Sequence, residues 1–222
     1  MTNTPRLLSV NVARPRLIQW QGATISTGIF KQPVRGRVRL RTVNLDGDKQ
    51  ADLSVHGGRD KAVYVYPSEH YEYWRRELGV SELSWGAFGE NFTSEGLLED
   101  EVQVGDRFRI GTAVVMVTQP RVPCFKLAAR FQREDIIARF LHSDRSGFYL
   151  SVIEEGEVGG NDRIEAIPYE STSLTIRVIH QLYRHATRDR DLLRQAAAIA
   201  MLPEGWRRRF AIAAEEAAGH SS

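Results

Sequence analysis

Cysteine is almost missing from this chain: 222 residues contain one, Cys124. That excludes an internal disulfide, a Cys-rich zinc site and the cysteine set of an iron–sulfur cluster. No apolar run approaches the roughly 20 residues that a membrane span requires. The stretch Leu7-Leu8-Ser9-Val10 behind the N-terminus is too short for a signal-peptide core. The expectation is a cytoplasmic protein with no membrane partner. There is no H-E-x-x-H and no close histidine pair at metal spacing, which disfavours a zinc hydrolase. No G-x-S-x-G elbow, P-loop, G-x-G-x-x-G fingerprint or flavin motif is present, which disfavours the enzymes built on them. Internal repeats and low-complexity stretches are missing too.

What is present is the composition of an ordinary globular protein, 42% hydrophobic and 26% charged. The length suits one large domain, or a medium domain with an appendage. The formal net charge is only +2, but it is unevenly spread. From Lys31 to Lys61 there are eight Lys/Arg against four Asp/Glu, while the rest of the chain is slightly acidic. Such a segment suits an anion or, more simply, a solvated strand face. Arg37, Arg39 and Arg41 alternate with Val38 and Leu40, so the solvated face is the reading for those three.

Up to about residue 170 the pattern is mostly short strands. They are expected at Leu7 to Ala13, Val34 to Leu45, Ala62 to Tyr66, Val102 to Ile110, Ala113 to Thr118 and Phe148 to Glu154. Helices are expected at Glu69 to Leu78 with Ser68 as cap, at Phe125 to Phe131, and at Arg133 to Leu141. Many strands without regular helix alternation point to a mostly β (α+β) fold, a partly closed barrel or sandwich. From Thr175 the period becomes helical, with further helices at about Asp189 to Ala200 and from Pro203 to about Ala217. The expected organisation is a β domain over 1–170, a small three-helix appendage over 171–218 and a disordered tail at 219–222.

Cys124 lies in Thr118-Gln119-Pro120-Arg121-Val122-Pro123-Cys124-Phe125-Lys126, at the start of a short helix and between two cations. Such surroundings suit a nucleophile or metal ligand, although an inert buried thiol is the commoner case. Val55-His56-Gly57-Gly58-Arg59-Asp60-Lys61 is a glycine corner beside charge. It reads either as an anion cradle with His56 as proton donor or ligand, or as a tight surface turn. Glu90 and Asn91 sit beside glycines in Gly86-Ala87-Phe88-Gly89-Glu90-Asn91, a ligand-orienting loop or a capped one. Asp144-Arg145-Ser146-Gly147-Phe148-Tyr149 places an arginine and two aromatics at a strand entrance, fit to stack on a planar ring or to pack in a core.

In order, these strings resemble one family. Gly47-Asp48-x-x-Ala51-Asp52-x-x-x-His56-Gly57-Gly58-x-Asp60-Lys61-Ala62-Val63-Tyr64 is followed by Gly86-x-Phe88-Gly89-Glu90-Asn91 and Val104-Gly105-Asp106. Gln119-Pro120-Arg121-x-Pro123-Cys124-x-Lys126-Leu127 and Gly147-Phe148-Tyr149 complete the series. Over residues 5 to 170 the chain resembles the MOSC domain of molybdenum-cofactor sulfurases, in its YiiM-like branch, and the helical tail resembles that branch's three-helix (3-alpha) appendage.

The resemblance implies a MOSC-type β-barrel that binds the molybdenum cofactor, a Mo-pyranopterin with a phosphate, without need of pyridoxal phosphate. It implies Cys124 as the metal ligand, a soft thiolate beside a metal already held by dithiolene sulfurs. Lys31, Arg35, Arg59, Lys61, Arg121 and Lys126 become candidates for the phosphate and pterin. His56, Gly57, Gly58, Glu90 and Asn91 are assigned to the pocket, with His56 also a proton donor. The implied activity is the reduction of N-hydroxylated compounds, notably hydroxylaminopurine-type bases, to amines with electrons from a partner flavin reductase. The alternative is a sulfur carrier holding a persulfide on Cys124. No stable nucleic-acid binding is expected, as RNA-binding and helix-turn-helix signatures are lacking; the oligomeric state is left open.

Overall fold

In a computed structural model of the chain, residues 4–49, 57–168, 173–185 and 189–219 are described. The strands are β1 (Arg6–Val12), β2 (Arg16–Trp20), β3 (Ala23–Thr27), β4 (Gln32–Pro33), β5 (Arg37–Leu40), β6 (Val63–Pro67) and β7 (Phe92–Glu95), continued by β8 (Arg107–Ile110), β9 (Ala113–Pro120), β10 (Phe148–Glu154), β11 (Gly156–Gly159) and β12 (Ile164–Ile167). Eight of them form one sheet in the order β12-β8-β9-β10-β6-β7-β1-β4. Its pairings are antiparallel except β6 with β7. The sheet curls so that the start of β1 reaches the chain leading into β12 at the far edge: Arg6 bridges Arg163, Leu7 N–H donates to the Asp162 carbonyl at 2.9 Å and Ile164 N–H to that of Pro5 at 2.9 Å. The result is the expected mixed fold, a largely β body partly closed into a barrel, with helices at its C-terminal end.

Side-chain alternation along β6 shows how the body is filled. Val63 and Val65 face the main core, while Tyr64 and Tyr66 face a second cluster on the other side, as a period of two requires. The second cluster packs beneath three short helices, α1 (His70–Leu78), α2 (Phe125–Phe131) and α3 (Ile136–His142), around Trp74, Phe88, Leu127 and Phe140.

The C-terminal helices are α4 (Ile176–Tyr183), α5 (Arg190–Ala198) and α6 (Glu204–Gly219). The Thr175 hydroxyl accepts from Val178 N–H at α4, and the Asp189 carboxylate accepts from Asp191 and Leu192 N–H at α5. Ile176, Ile179, Leu182, Leu193, Ala196 and Phe210 belong to the same buried cluster as Leu7, Val115 and Leu150 of the barrel. Helices of two to four turns are marginal alone, and sharing the barrel's core supplies the burial they lack.

Some local expectations are corrected. Of the strand expected from Val34 to Leu45 only Arg37–Leu40 forms, because Gly36 turns the chain at φ 81° before it and Thr42 to Asn44 bend after it. Only the last four residues of the Val102 to Ile110 segment are strand, since Val104 and Gly105 turn first. The helix after Arg133 starts at Ile136. At α1 the N-cap position belongs to Glu69 rather than Ser68, and no side chain caps it. Glu69 instead accepts from Gly96 N–H at 2.6 Å.

Candidate functional site

Strand β9 delivers the chain into the site. It ends at Pro120, and after Arg121-Val122-Pro123 the backbone is extended at Cys124 (φ −125°, ψ 173°), the N-cap of α2. Helix α2 buries Leu127, Ala128 and Ala129, which fixes its first turn against the second core. Cys124 itself is half-buried and faces a cleft.

The cleft gathers distant parts of the chain. The exit of β3 gives Thr27, Gly28 and Ile29, with Lys31 and Lys49 following. Gly57 and Lys61 enter from the turn before β6, which contributes Tyr64, and the Gly86-to-Asn91 loop gives Gly89 and Asn91. Arg121, Val122, Cys124 and Lys126 come from the β9–α2 junction, and Tyr149 from β10. The cleft takes in about 680 Å³ of empty space, open solvent at its mouth included. Five of these side chains are cationic, namely Lys31, Lys49, Lys61, Arg121 and Lys126, and among the described lining residues there is no carboxylate. A cleft of one charge sign concentrates ligands of the other.

Arg121 is buried, with its guanidinium 4.7 Å from the Tyr64 ring centroid and 5.2 Å from that of Phe140. Burial works against its charge, but its pKa is raised on balance, with the Tyr64 hydroxyl accepting from it at 3.5 Å, so it stays a cation. Burial raises the pKa of Tyr64 well above the usual phenol value, against the pull of Arg121, and that of Tyr149 likewise. Both phenols therefore hold their protons. The Tyr64 hydroxyl donates to the Ser146 carbonyl at 2.9 Å, and the two tyrosine rings lie 5.3 Å apart.

Behind this wall lies a buried polar network. The Lys31 ammonium donates to both oxygens of Asp48, at 2.6 and 2.7 Å. Burial pulls its pKa below the ordinary lysine value and Asp48 pulls it back. Asp48 also accepts from Ala13 N–H at 2.8 Å and from the Asn91 amide at 3.0 Å, while Asn91 Oδ1 accepts from Tyr64 N–H at 3.2 Å. Glu90 is fully buried and accepts from Gly86 N–H at 2.7 Å, Phe88 N–H at 3.0 Å, the Thr93 hydroxyl at 3.0 Å and the Tyr71 hydroxyl. These contacts satisfy its lone pairs from its own loop, from β7 and from α1, and they position Gly89 and Asn91.

Of the residues singled out in the sequence, Lys31, Gly57, Lys61, Asn91, Arg121, Cys124 and Lys126 come together on the cleft. Gly58 and Arg59 line an adjoining recess. Glu90 lies beneath the cleft rather than on it, and Arg35 is exposed and outside its lining. His56 lies outside the described residues. Arg37, Arg39 and Arg41 are exposed and pair with Asp162, Glu155 and Asp46, as a solvated face does. Lys49, Tyr64 and Tyr149 were not singled out as site residues. Tyr64 closes the family string that runs on from Gly47, and Tyr149 is one of the two aromatics at the strand entrance fit to stack on a planar ring.

The donor set bears on any metal. Among the described residues no group of three or more His, Cys, Asp and Glu side chains is placed to hold one. One sulfur ligand in a cation-rich cleft, with no carboxylate among its described lining residues, fits a metal that is carried by an anionic organic cofactor and brings ligands of its own.

Comparisons with known proteins agree with this geometry. The MOSC domain profile matches residues 52–165, and the profile of the YiiM-like, 3-alpha helix domain matches residues 174–211. The uncharacterized protein YflK of Bacillus subtilis (strain 168) is 39% identical over 92% of this chain and 92% of its own length. The crystal structure of YiiM from Geobacillus stearothermophilus is similar at a TM-score of 0.78 and 33% identity, over 95% of this chain and 99% of that one. A protein of Gibberella moniliformis (strain M3125 / FGSC 7600) named reductase is 33% identical over 69% of this chain, which corresponds to 28% of its length.

Proposed function

This chain belongs to the MOSC-domain family, in its YiiM-like branch with the three-helix extension, and on that premise we propose that it is a molybdenum-cofactor-dependent reductase of N-hydroxylated compounds. The observation that carries the reading is Cys124 facing a cleft with five cations and no carboxylate among its described lining residues. When bound, the cofactor supplies the two-electron redox centre. Cys124 is the protein's ligand to the metal. Lys49, Lys61 and Lys126 would hold the cofactor's phosphate, and Arg121, kept charged beside Tyr64 and Phe140, would hold its pterin. The phenol O–H groups of Tyr64 and Tyr149 offer hydrogen bonds at the cleft wall, and His56 delivers a proton. The reaction is R–NHOH plus two electrons and two protons giving R–NH2 and water. Hydroxylaminopurine-type bases are the substrate class.

With neither an iron–sulfur set nor a flavin motif in the chain, the electrons come from a separate flavin reductase. The reductase name of the fungal relative, of which the matched segment is about a quarter, supports redox work in a larger assembly.

The test is to purify wild type and Cys124→Ser from a molybdenum-replete host, then measure bound metal and reduction of 6-hydroxylaminopurine with a chemical electron donor. Wild type should retain molybdenum and turn over. The variant should lose both while unfolding at nearly the same temperature. Turnover by a metal-loaded variant would refute Cys124 as ligand. A persulfide on Cys124 without tightly held molybdenum would replace this reading with the sulfur carrier.

A further inference from the structure

A second recess opens beside the cleft, and the two share Gly57 and Lys61. One wall is the turn Gly58-Arg59-Asp60; the opposite wall comes from the C-terminal helices through Tyr183, Trp206 and Arg209. The Tyr183 and Trp206 rings lie 5.1 Å apart, and Trp206 also packs on buried Phe210 at 5.8 Å. Both rings are half-buried, so each is anchored in the core and still presents surface to the recess. The Arg209 guanidinium lies 4.4 Å from the Tyr183 ring centroid and donates to the Tyr183 carbonyl at 3.3 Å. Arg59, Lys61 and Arg209 thus stand around an aromatic surface, with Asp60 as the one carboxylate among the described lining residues.

Fixed aromatic faces take planar rings, and guanidinium groups beside them take phosphate. We infer that this recess is a substrate subsite for the nucleotide form of the N-hydroxylated base. The planar ring lies against Tyr183 and Trp206, and the 5′-phosphate against Arg59 and Arg209. Among the described lining residues Gly57 and Lys61 alone are common to both spaces, so a ring held here borders the Cys124 cleft without a bulky residue at Gly57 or Gly58. The C-terminal helices then have a part in the reaction, as the wall that selects the substrate. The identity of the ligand rests on the reductase reading; the recess and its chemistry do not.

The experiment titrates adenosine 5′-monophosphate, the amine product of such a nucleotide, into the full-length protein by calorimetry, with adenosine and flavin mononucleotide as further probes. Trp206→Leu, which keeps apolar packing but removes the ring, should weaken nucleotide binding about tenfold, as the loss of one stacking partner does, and Trp206→Phe should restore most of it. Arg209→Gln should weaken the nucleotide about tenfold, as the loss of a charged phosphate contact does, and leave adenosine unchanged. Equal nucleotide affinity in wild type and Trp206→Leu, or no nucleotide binding by wild type, overturns the inference. Binding of flavin mononucleotide in preference to adenosine 5′-monophosphate overturns it as well, and gives the recess to the electron donor's chemistry. Because binding needs no turnover, the two readings fail separately. Nucleotide binding through Trp206 without any reductase activity sinks the reductase and keeps the subsite. Reduction of the nucleotide with the same KM in wild type and Trp206→Leu does the reverse.

Discussion

Replacing Glu90 by Gln changes one atom of a fully buried side chain, and the structure says what that atom does. Oε1 accepts from Gly86 N–H, Thr93 and Tyr71, and Oε2 from Phe88 N–H. A glutamine can keep its carbonyl in the first position, but its NH2 then faces the Phe88 N–H, donor against donor. An orphaned buried N–H costs roughly 1–3 kcal/mol, and the remaining bonds lose their charge assistance, so the expected loss is about 3 kcal/mol. In a chain of this size that lowers Tm by roughly 6–12 °C.

One effect opposes it. Burial pushes the Glu90 pKa above its ordinary value of 4.5, despite its four donors. Wild type therefore carries a cost of ionisation that is absent below pH 4.5 and grows as the pH rises through the raised folded-state pKa. Glutamine has no such cost, so the deficit of the variant should be widest near pH 4.5 and narrow towards neutral pH. Thermal and urea unfolding across that range test this. A loss under about 1 kcal/mol near pH 5, or a deficit that widens with pH, would refute the account of Glu90 as an ionisable anchor. Gly89 and Asn91 flank it on the cleft, so the same variant should retain less molybdenum.

Two further outcomes are expected. Lys61→Ala should weaken cofactor retention by about tenfold, as the loss of one charged contact does, with little change in the turnover of the loaded fraction; equal retention in a metal assay removes it from the phosphate site. Gly147→Ala should destabilise by roughly 2–4 kcal/mol, since φ is +60° and a Cβ would meet the Val65 carbonyl oxygen at 2.4 Å and the Tyr64 ring at 2.8 Å. A urea midpoint unchanged from wild type would show that the backbone there yields freely.

Parts of the architecture were readable because burial writes a pattern. Strands β1, β6, β9 and β10 are apolar over several residues, and α2 lies where its short apolar run predicted it. The hairpin of β2 and β3 left no such mark: it is mostly exposed, with Leu17 at 71%, so no alternation selects its register. Strand β11, Gly156–Gly159, is half glycine and owes its form to its pairing with β5. At the site, the position of Cys124 before a helix followed from Pro123 and the run after it. Which polar residues face the cleft did not follow. Glu90 and Asn91 are neighbours, yet one feeds the loop beneath and the other the wall, and that choice depends on Asp48 and Tyr71, far away in sequence. Arg35 had charge in the right segment but no fold to bring it in.

The Arg6–Arg163 bridge has a consequence for biosynthesis. A ribosome releases β1 early, yet one edge of that strand waits for β7, and the N-terminal part of the other, beyond its early pairing with β4, waits for residues 161–164. Chain ends that must find each other late make for slow collapse and long exposure of unpaired edges. Until the last barrel strand emerges the nascent polypeptide is a substrate for chaperones, and truncations before residue 164 should accumulate as aggregate rather than as smaller folded bodies.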